Sequence, residues 1–264
     1  VPSGSPSTMA AQRWMHAPGL DLLGFQFRPG PLHNAALWLF NVLEAVSISR
    51  QCGRGETLCE SSGGGGYEFG PAQMKPLEDF LLALGINRLA PHLSHQTLAG
   101  SRQFDWPQSI GDHAPWWDAF ASHATHVGRV GALLSSGSVT PRVLVLNPTT
   151  TGWIRHRPDA YFLPGEMRPG RLESLRKSYT EFLVELYSHQ IEFDLGDECV
   201  MAEIASVAGA RLHLGPCAYE TVVVPDGMEN LLASTVRLLE SFLAAGGRVI
   251  LCGGPPSFVD GRPA

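Results

Sequence analysis

The chain has 264 residues, 44% of them hydrophobic and 17% charged, which is enough for one large domain or two small ones. Its net charge of −6 and the lack of any dense Lys/Arg run argue against a nucleic-acid footprint, and no apolar run approaches the length of a membrane-spanning helix. The five cysteines, Cys52, Cys59, Cys199, Cys217 and Cys252, form no C-x-x-C pair, which argues against a disulfide framework or a zinc ribbon and fits a reducing, cytoplasmic setting.

In chain order, Val1–Ser7 reads as a polar loop without the basic and apolar regions of a signal peptide. The pattern Trp14-Met15-His16-Ala17-Pro18-Gly19-Leu20-Asp21 reads as a strand ending in a carboxylate. After a Gly/Pro-rich loop, Asn34 is placed to cap a helix through about Arg50. Thr57-Leu58-Cys59-Glu60 is a short apolar run ending in a second carboxylate, and Gly63-Gly64-Gly65-Gly66 follows at once. Met74, Leu77, Phe80, Leu81 and Leu84 recur at helical spacing, and Gly85 supplies the stop. Ile86–His92 is a third strand with a polar end. The polar ends Asp21, Glu60 and His92 lie 39 and 32 residues apart, close to the roughly 31 residues of one strand–helix unit in a (β/α)8 barrel. A long segment without clear period, His95–Pro115, precedes a helix over Trp116–Leu134.

A boundary is expected near Gly137–Pro141. Beyond it, Arg142–Leu146 has the continuous apolar character of a buried parallel strand, and Asn147–Trp153 reads as a turn. Helices at about 171–190 and 229–244 alternate with strands at 191–195, 211–214, 221–224 and 248–252, a pattern that points to an open doubly wound sheet. The fold class expected is therefore α/β. Residues 1–137 are the C-terminal part of a (β/α)8 barrel, and residues 138–264 are a doubly wound, flavodoxin- or amidotransferase-like domain. Three strand–helix units where a barrel needs eight, and a last strand with no covering helix, predict a fragment of a longer protein.

The segment GETLCESSGGGGYEFGPAQMKPLEDFLLALGINRLAPHLSHQTLAGSRQFDWP resembles a stretch of large bacterial glycoside hydrolases of the α-L-rhamnosidase type. MHAPGLDLLG resembles their preceding strand, and APWWDAFASHATHVGRVGALLSSG followed by RVLVLNPT resembles their passage into an amidotransferase-like domain. The resemblance spans roughly Arg13 to Ile250. It departs at Cys59-Glu60-Ser61-Ser62, where Ser is expected before Glu and Thr after it, and at Gln103, where Lys or Arg is commoner.

The resemblance implies a glycosidase. Cleavage of a glycosidic bond requires two carboxylates, one to protonate the leaving oxygen and one to act as nucleophile or base. Glu60, on what would be the seventh barrel strand, is the expected nucleophile or base, with the acid on an earlier strand outside this chain. Asp21, His16, His92 and Trp106 are expected to bind substrate, the tryptophan by stacking on a sugar face. The expected partner is a carbohydrate, with no nucleic acid or membrane, no cofactor and no metal. His92-x-x-His95 and His123-x-x-His126 lack the His-Glu-x-x-His form of a catalytic zinc site. The first strand of the C-terminal domain is followed by neither a phosphate-binding glycine pattern nor a lysine, so a scaffold or homo-oligomer contact is expected there rather than nucleotide chemistry. The alternative to an enzyme is a non-catalytic carbohydrate-binding or oligomerisation module.

Overall fold

A computed structural model describes residues 7–24, 27, 36–104, 108–156 and 170–264. The chain divides into two units. One comprises residues 16–49 and 54–139, and the other 1–15, 50–53 and 140–264. A short helix, α1 (Thr8–Gln12), belongs with the second.

In the N-terminal unit three strands, β1 (Gly19–Leu22), β2 (Leu58–Ser61) and β3 (Arg88–Pro91), form a parallel sheet in the order β1-β2-β3. The helix α2 (Ala36–Gln51) connects the first two, α3 (Pro71–Ala83) the second pair, and α4 (Trp117–Leu134) follows β3. The register is set at the amino end of the sheet. Asn87 accepts from the Thr57 backbone N–H (2.8 Å) and donates to the Gly55 carbonyl (2.9 Å), and the Thr57 carbonyl accepts from the N–H groups of Asn87 and Arg88. Side chains alternate across a strand, so one face takes Leu22 and Cys59 into a core with Val42, Val46, Phe69, Met74, Leu77, Leu81 and Ile86. The other face carries Asp21 and Glu60 outward. Leu39, Val42, Leu43, Ala45, Val46 and Ile48 leave α2 almost wholly buried. By contrast α4 is largely exposed, with His123 its buried residue.

In the C-terminal unit the strands β4 (Val143–Leu146), β5 (Phe193–Gly196), β9 (Thr221–Val224) and β11 (Arg248–Leu251) make a four-stranded parallel sheet in the order β11-β9-β4-β5. Ranked by appearance these lie 2-1-3-4, so the chain leaves β4 first to one side and then to the other. The helices α5 (Thr149–Arg155), α6 (Gly170–Ser188), α7 (Glu198–Ile204) and α8 (Ala233–Ala244) link them. β6 (Ala205–Ala208), β7 (Arg211–Leu214) and β8 (Cys217–Tyr219) form an antiparallel meander. A small sheet joins β10 (Asn230–Leu231), β12 (Phe258–Val259) and β13 (Arg262–Pro263).

Two expectations change here. Residues 211–214 are a strand, but not of the parallel sheet. The two-residue connections Gly209-Ala210 and Gly215-Pro216, with both glycines at positive φ, fold that stretch into hairpins with its neighbours. The turn expected over 147–153 is mostly the helix α5. Its β-branched threonines find tertiary partners: Thr150 Oγ1 contacts Glu198 (2.5 Å), Thr151 Oγ1 accepts from Asn230 N–H (3.0 Å), and Thr149 Oγ1 donates to Asp197 (3.3 Å). These outweigh a modest propensity cost.

The C-terminal unit is held by a buried polar network. Asp194 on β5 is fully buried and accepts from Arg50 Nε (2.9 Å) and from the Tyr219 hydroxyl (2.9 Å). Gln51 donates to the Leu195 carbonyl (2.8 Å) and to the Tyr219 oxygen (3.1 Å). Asp197 caps α7 and also accepts from the Ser7 hydroxyl (2.7 Å). Residues far upstream in sequence thus complete this unit.

Candidate active site on the N-terminal sheet

The parallel register places Asp21 opposite Glu60, and Glu60 opposite Ala90. His92 lies two residues beyond Ala90, on the same face, and its N–H continues the ladder to the Ser61 carbonyl (2.7 Å). Ala90 is small, so nothing bulky separates the imidazole from Glu60. His92 Nε2 stands 3.9 Å from Glu60 Oε1, with the two side chains 27% and 48% exposed. Asp21, Glu60 and His92 therefore converge at the carboxyl end of the sheet, as their spacing predicted. His16 does not join them. It lies exposed in the bend before β1, at the opposite, amino end. Trp106 lies outside the described residues.

Electrostatics separates these groups. Burial, then the neighbouring Glu60 charge, pushes the Asp21 carboxyl above its ordinary range, and His92 partly offsets both. On the other face Cys59 is fully buried, and its thiol is pushed up to about 12, first by burial and then by Asp21. It is therefore neutral and inert as a nucleophile.

The loop after β2 is built to turn sharply. Ser62, buried, adopts φ 72, an unusual value for a residue other than glycine, and redirects the chain beyond Glu60. Gly63 packs so closely that a Cβ would stand 3.1 Å from Leu23 and 3.6 Å from His92. At Gly65 a Cβ would stand 2.4 Å from Gln108 Oε1 and 2.6 Å from Phe69. Gln108 in turn donates to the His92 carbonyl (3.2 Å). The glycine run is thus a close-packed collar beside the carboxylates, not a slack linker. Gln108, which the sequence does not single out, is its keystone. A buried glutamine inside a long segment without period carries no local signal.

The long segment after β3 is tied at several points. Ile110 N–H donates to the Leu93 carbonyl (2.9 Å), His95 N–H to Ser109 Oγ (3.0 Å), and the Tyr67 hydroxyl to the Arg102 carbonyl (3.1 Å). Trp116 and Trp117 pack on Phe120, with ring centroids 5.9 and 5.4 Å apart, which makes them helix-start packing residues. His123 Nε2 lies 2.8 Å from Glu78 Oε2, and His126 Nε2 lies 2.7 Å from Asp79 Oδ1, so each imidazole of the His-x-x-His pair meets a carboxylate of α3.

At the carboxyl ends of β4 and β5 in the other unit, the chain's own Asp197 and Glu198 take up the threonine hydroxyls.

The fold is mixed α/β with parallel sheets, and it resembles that of several solved glycosidases. A rhamnosidase from Novosphingobium sp. PP1Y matches over 95% of this chain with a TM-score of 0.66 at 17% identity. The GH42 β-galactosidase Gan42B from G. stearothermophilus matches over 97% with a TM-score of 0.57 at 13% identity, and a β-galactosidase from Rahnella sp. R3 over 88% with 0.54 at 12%. At these identities the likeness is one of fold. The chain spans 22%, 35% and 32% of those three proteins, respectively. No family model matches the chain, and no curated protein does.

Proposed function

We propose that the chain is a portion of a glycoside hydrolase of the α-L-rhamnosidase type, in which Glu60 serves as nucleophile or general base and the acid is carried by another part of the protein. The observation that carries this reading is the placement of Glu60. It projects from the middle strand of a parallel sheet, at the carboxyl end, about half exposed and flanked by Asp21 and His92. That is where a β/α barrel presents its catalytic groups. On this reading β1, β2 and β3 are late strands of a barrel of eight. The 2-1-3-4 strand order of the second sheet supports a doubly wound, amidotransferase-like domain.

Glu60 then either attacks the anomeric carbon or takes a proton from the attacking water. His92 and Asp21 line the same face, where an imidazole N–H and a carboxyl can hold sugar hydroxyls. The test is Glu60→Gln in the whole enzyme, assayed on aryl α-L-rhamnosides and aryl β-galactosides. The substitution keeps size and removes charge, and kcat is expected to fall by roughly three orders of magnitude or more. A near-normal kcat would overturn the assignment.

A further inference from the structure

We propose that Gln108 is a positioning residue: its side-chain amide braces the loops that leave β2 and β3 and so fixes where the His92 imidazole stands against Glu60. The catalytic consequence rests on the reading of this site given above; the bracing itself does not.

His92 lies one residue beyond β3, where the strand no longer holds it on both sides. Its N–H still joins the ladder, donating to the Ser61 carbonyl (2.7 Å), but its carbonyl is taken by Gln108, whose Nε2 donates at 3.2 Å. The next three residues are tied to the stretch after Gln108 in the same way. The Leu93 carbonyl accepts from the Ile110 N–H (2.9 Å), Ser94 Oγ donates to the Ile110 carbonyl, and the His95 N–H donates to Ser109 Oγ (3.0 Å). Gln108, Ser109 and Ile110 are all buried. An acceptor that loses its donor in such a place has no water to replace it.

Gln108 is also gripped from its other end. Its Oε1 lies against Gly65, where a Cβ would stand 2.4 Å from it. Exchanging the two ends of the amide would set Oε1 against the His92 carbonyl, acceptor against acceptor. Gly63, in the same loop, packs on His92 itself, where a Cβ would stand 3.6 Å from the histidine Cβ and Cγ. The histidine is thus held through its backbone by Gln108 and at its side chain by the glycine collar.

His92 Nε2 stops 3.9 Å from Glu60 Oε1. That is too long for a direct hydrogen bond, so the relation of the two groups is set by how each backbone is held and not by a bond between them. Misplacing such a group by about 1 Å costs on the order of 100-fold in rate.

The experiment is a double-mutant cycle in the whole enzyme on aryl α-L-rhamnosides and aryl β-galactosides: Gln108→Met, His92→Ala and the two together. Methionine keeps the length and the burial and removes the donor. Gln108→Met is expected to lower kcat/KM by about 10- to 100-fold in the parent, and by less than about twofold once His92 is alanine. A general loosening of the loops would give the same loss in both backgrounds. Equal losses, or no loss in the parent, overturn the proposal. A second arm reads His92 without turnover, from the ring carbon and proton resonances of the histidines in the full 264-residue chain. Gln108→Met is expected to shift and broaden those of His92 and to leave those of His123, on α4, in place, which also establishes that the variant is folded. Gln108→Asn, one methylene too short to span from Gly65 to the His92 carbonyl, is expected to do the same and serves if Gln108→Met does not fold. An unmoved His92 ring in a folded variant overturns the proposal. A moved ring in a protein that cleaves no glycoside upholds the bracing and removes the glycosidase reading. Unchanged turnover in Gln108→Met beside lost turnover in Glu60→Gln leaves the glycosidase reading standing and removes the positioning role.

Discussion

At the scale of single residues, the glycine run beside Glu60 shows how a permissive sequence becomes a demanding structure. Gly63 and Gly65 are required by contact: the first has Leu23 and His92 against it, the second Phe69 and Gln108. Gly65→Ala would bring a methyl group into the space of a buried glutamine that holds the His92 carbonyl. Overpacking of this kind costs about 1–3 kcal/mol, and the displaced Gln108 would loosen His92 as well. Chemical denaturation should show that loss, whereas Gly55→Ala, where nothing stands within 4 Å, should be close to neutral. Equal stabilities for the two variants would contradict the collar. Much of the Glu60 cluster was legible beforehand. The sequence places three polar residues at the ends of apolar runs near the repeat of a strand–helix unit, and a register of parallel strands then brings them together. His16 was misplaced because it shares a pattern with Asp21 but stands five residues earlier, which in an extended chain is the other end of the sheet. Gln108 was invisible because its partners, Gly65 and the His92 carbonyl, are distant in sequence.

At the scale of elements, α4 is fastened to α3 by ionisable groups. The packing of His123 against Glu78 is nearly dry, with side chains 6% and 3% exposed. Burial, followed by the charge of Asp79, pushes the Glu78 carboxyl up to about 7. Burial lowers the affinity of His123 for a proton, and His126 adds to the effect. Lys75, Asp79 and His126 form a more exposed cluster alongside. With one proton between them, Glu78 and His123 bury no net charge. The folded imidazole binds a proton less readily than a free one, so as pH falls below 6.5 the unfolded chain takes up protons first and the histidine's contribution is lost. A carboxyl whose folded value is raised stabilises fully below its ordinary value near 4.3, and that contribution is lost as pH rises through about 7. Glu78→Gln should therefore flatten the decline in stability between about pH 5 and 7.5, an effect of roughly 1–3 kcal/mol, while His123→Gln should flatten the acid side instead. Urea unfolding across pH 5 to 8.5 measures both slopes. Unchanged slopes in both variants would mean that the pair does not titrate in this range. The helical spacing of the histidines was plain in the sequence, but their acidic partners sit on another helix. A pattern that invites a zinc reading is here a pair of helix-to-helix contacts.

At the scale of the whole molecule, composition and alternation point to two α/β parts divided at residues 137 and 138, while the chain divides into units that are not continuous in sequence. What linear reading misses is that the C-terminal unit also recruits residues 1–15 and 50–53. The reason is the buried carboxylate on β5. Asp194 follows Phe193 in a strand buried at every position, and a charge there is tolerated only with partners. One partner, Tyr219, comes from the same half of the sequence, but the cation, Arg50, is 144 residues away. The Ser7 hydroxyl similarly completes the cap on α7 through Asp197. A polypeptide cut at the apparent boundary, residues 138–264, would keep Asp194 and lose Arg50, Gln51 and Ser7. Leaving one member of a buried pair uncompensated costs about 3–5 kcal/mol, a large share of a domain's stability. The isolated segment should consequently melt well below the same unit in the full chain, or show no cooperative transition, when followed by circular dichroism in the near ultraviolet. Arg50→Met within the intact chain, which removes the cation without removing α1, should reproduce most of that loss. Adding Asp194→Leu to the Arg50 variant should recover stability by eliminating the orphaned charge. A segment 138–264 with the melting temperature of the intact unit would show that the upstream residues are passengers, and the buried Asp194 would then need another source of compensation.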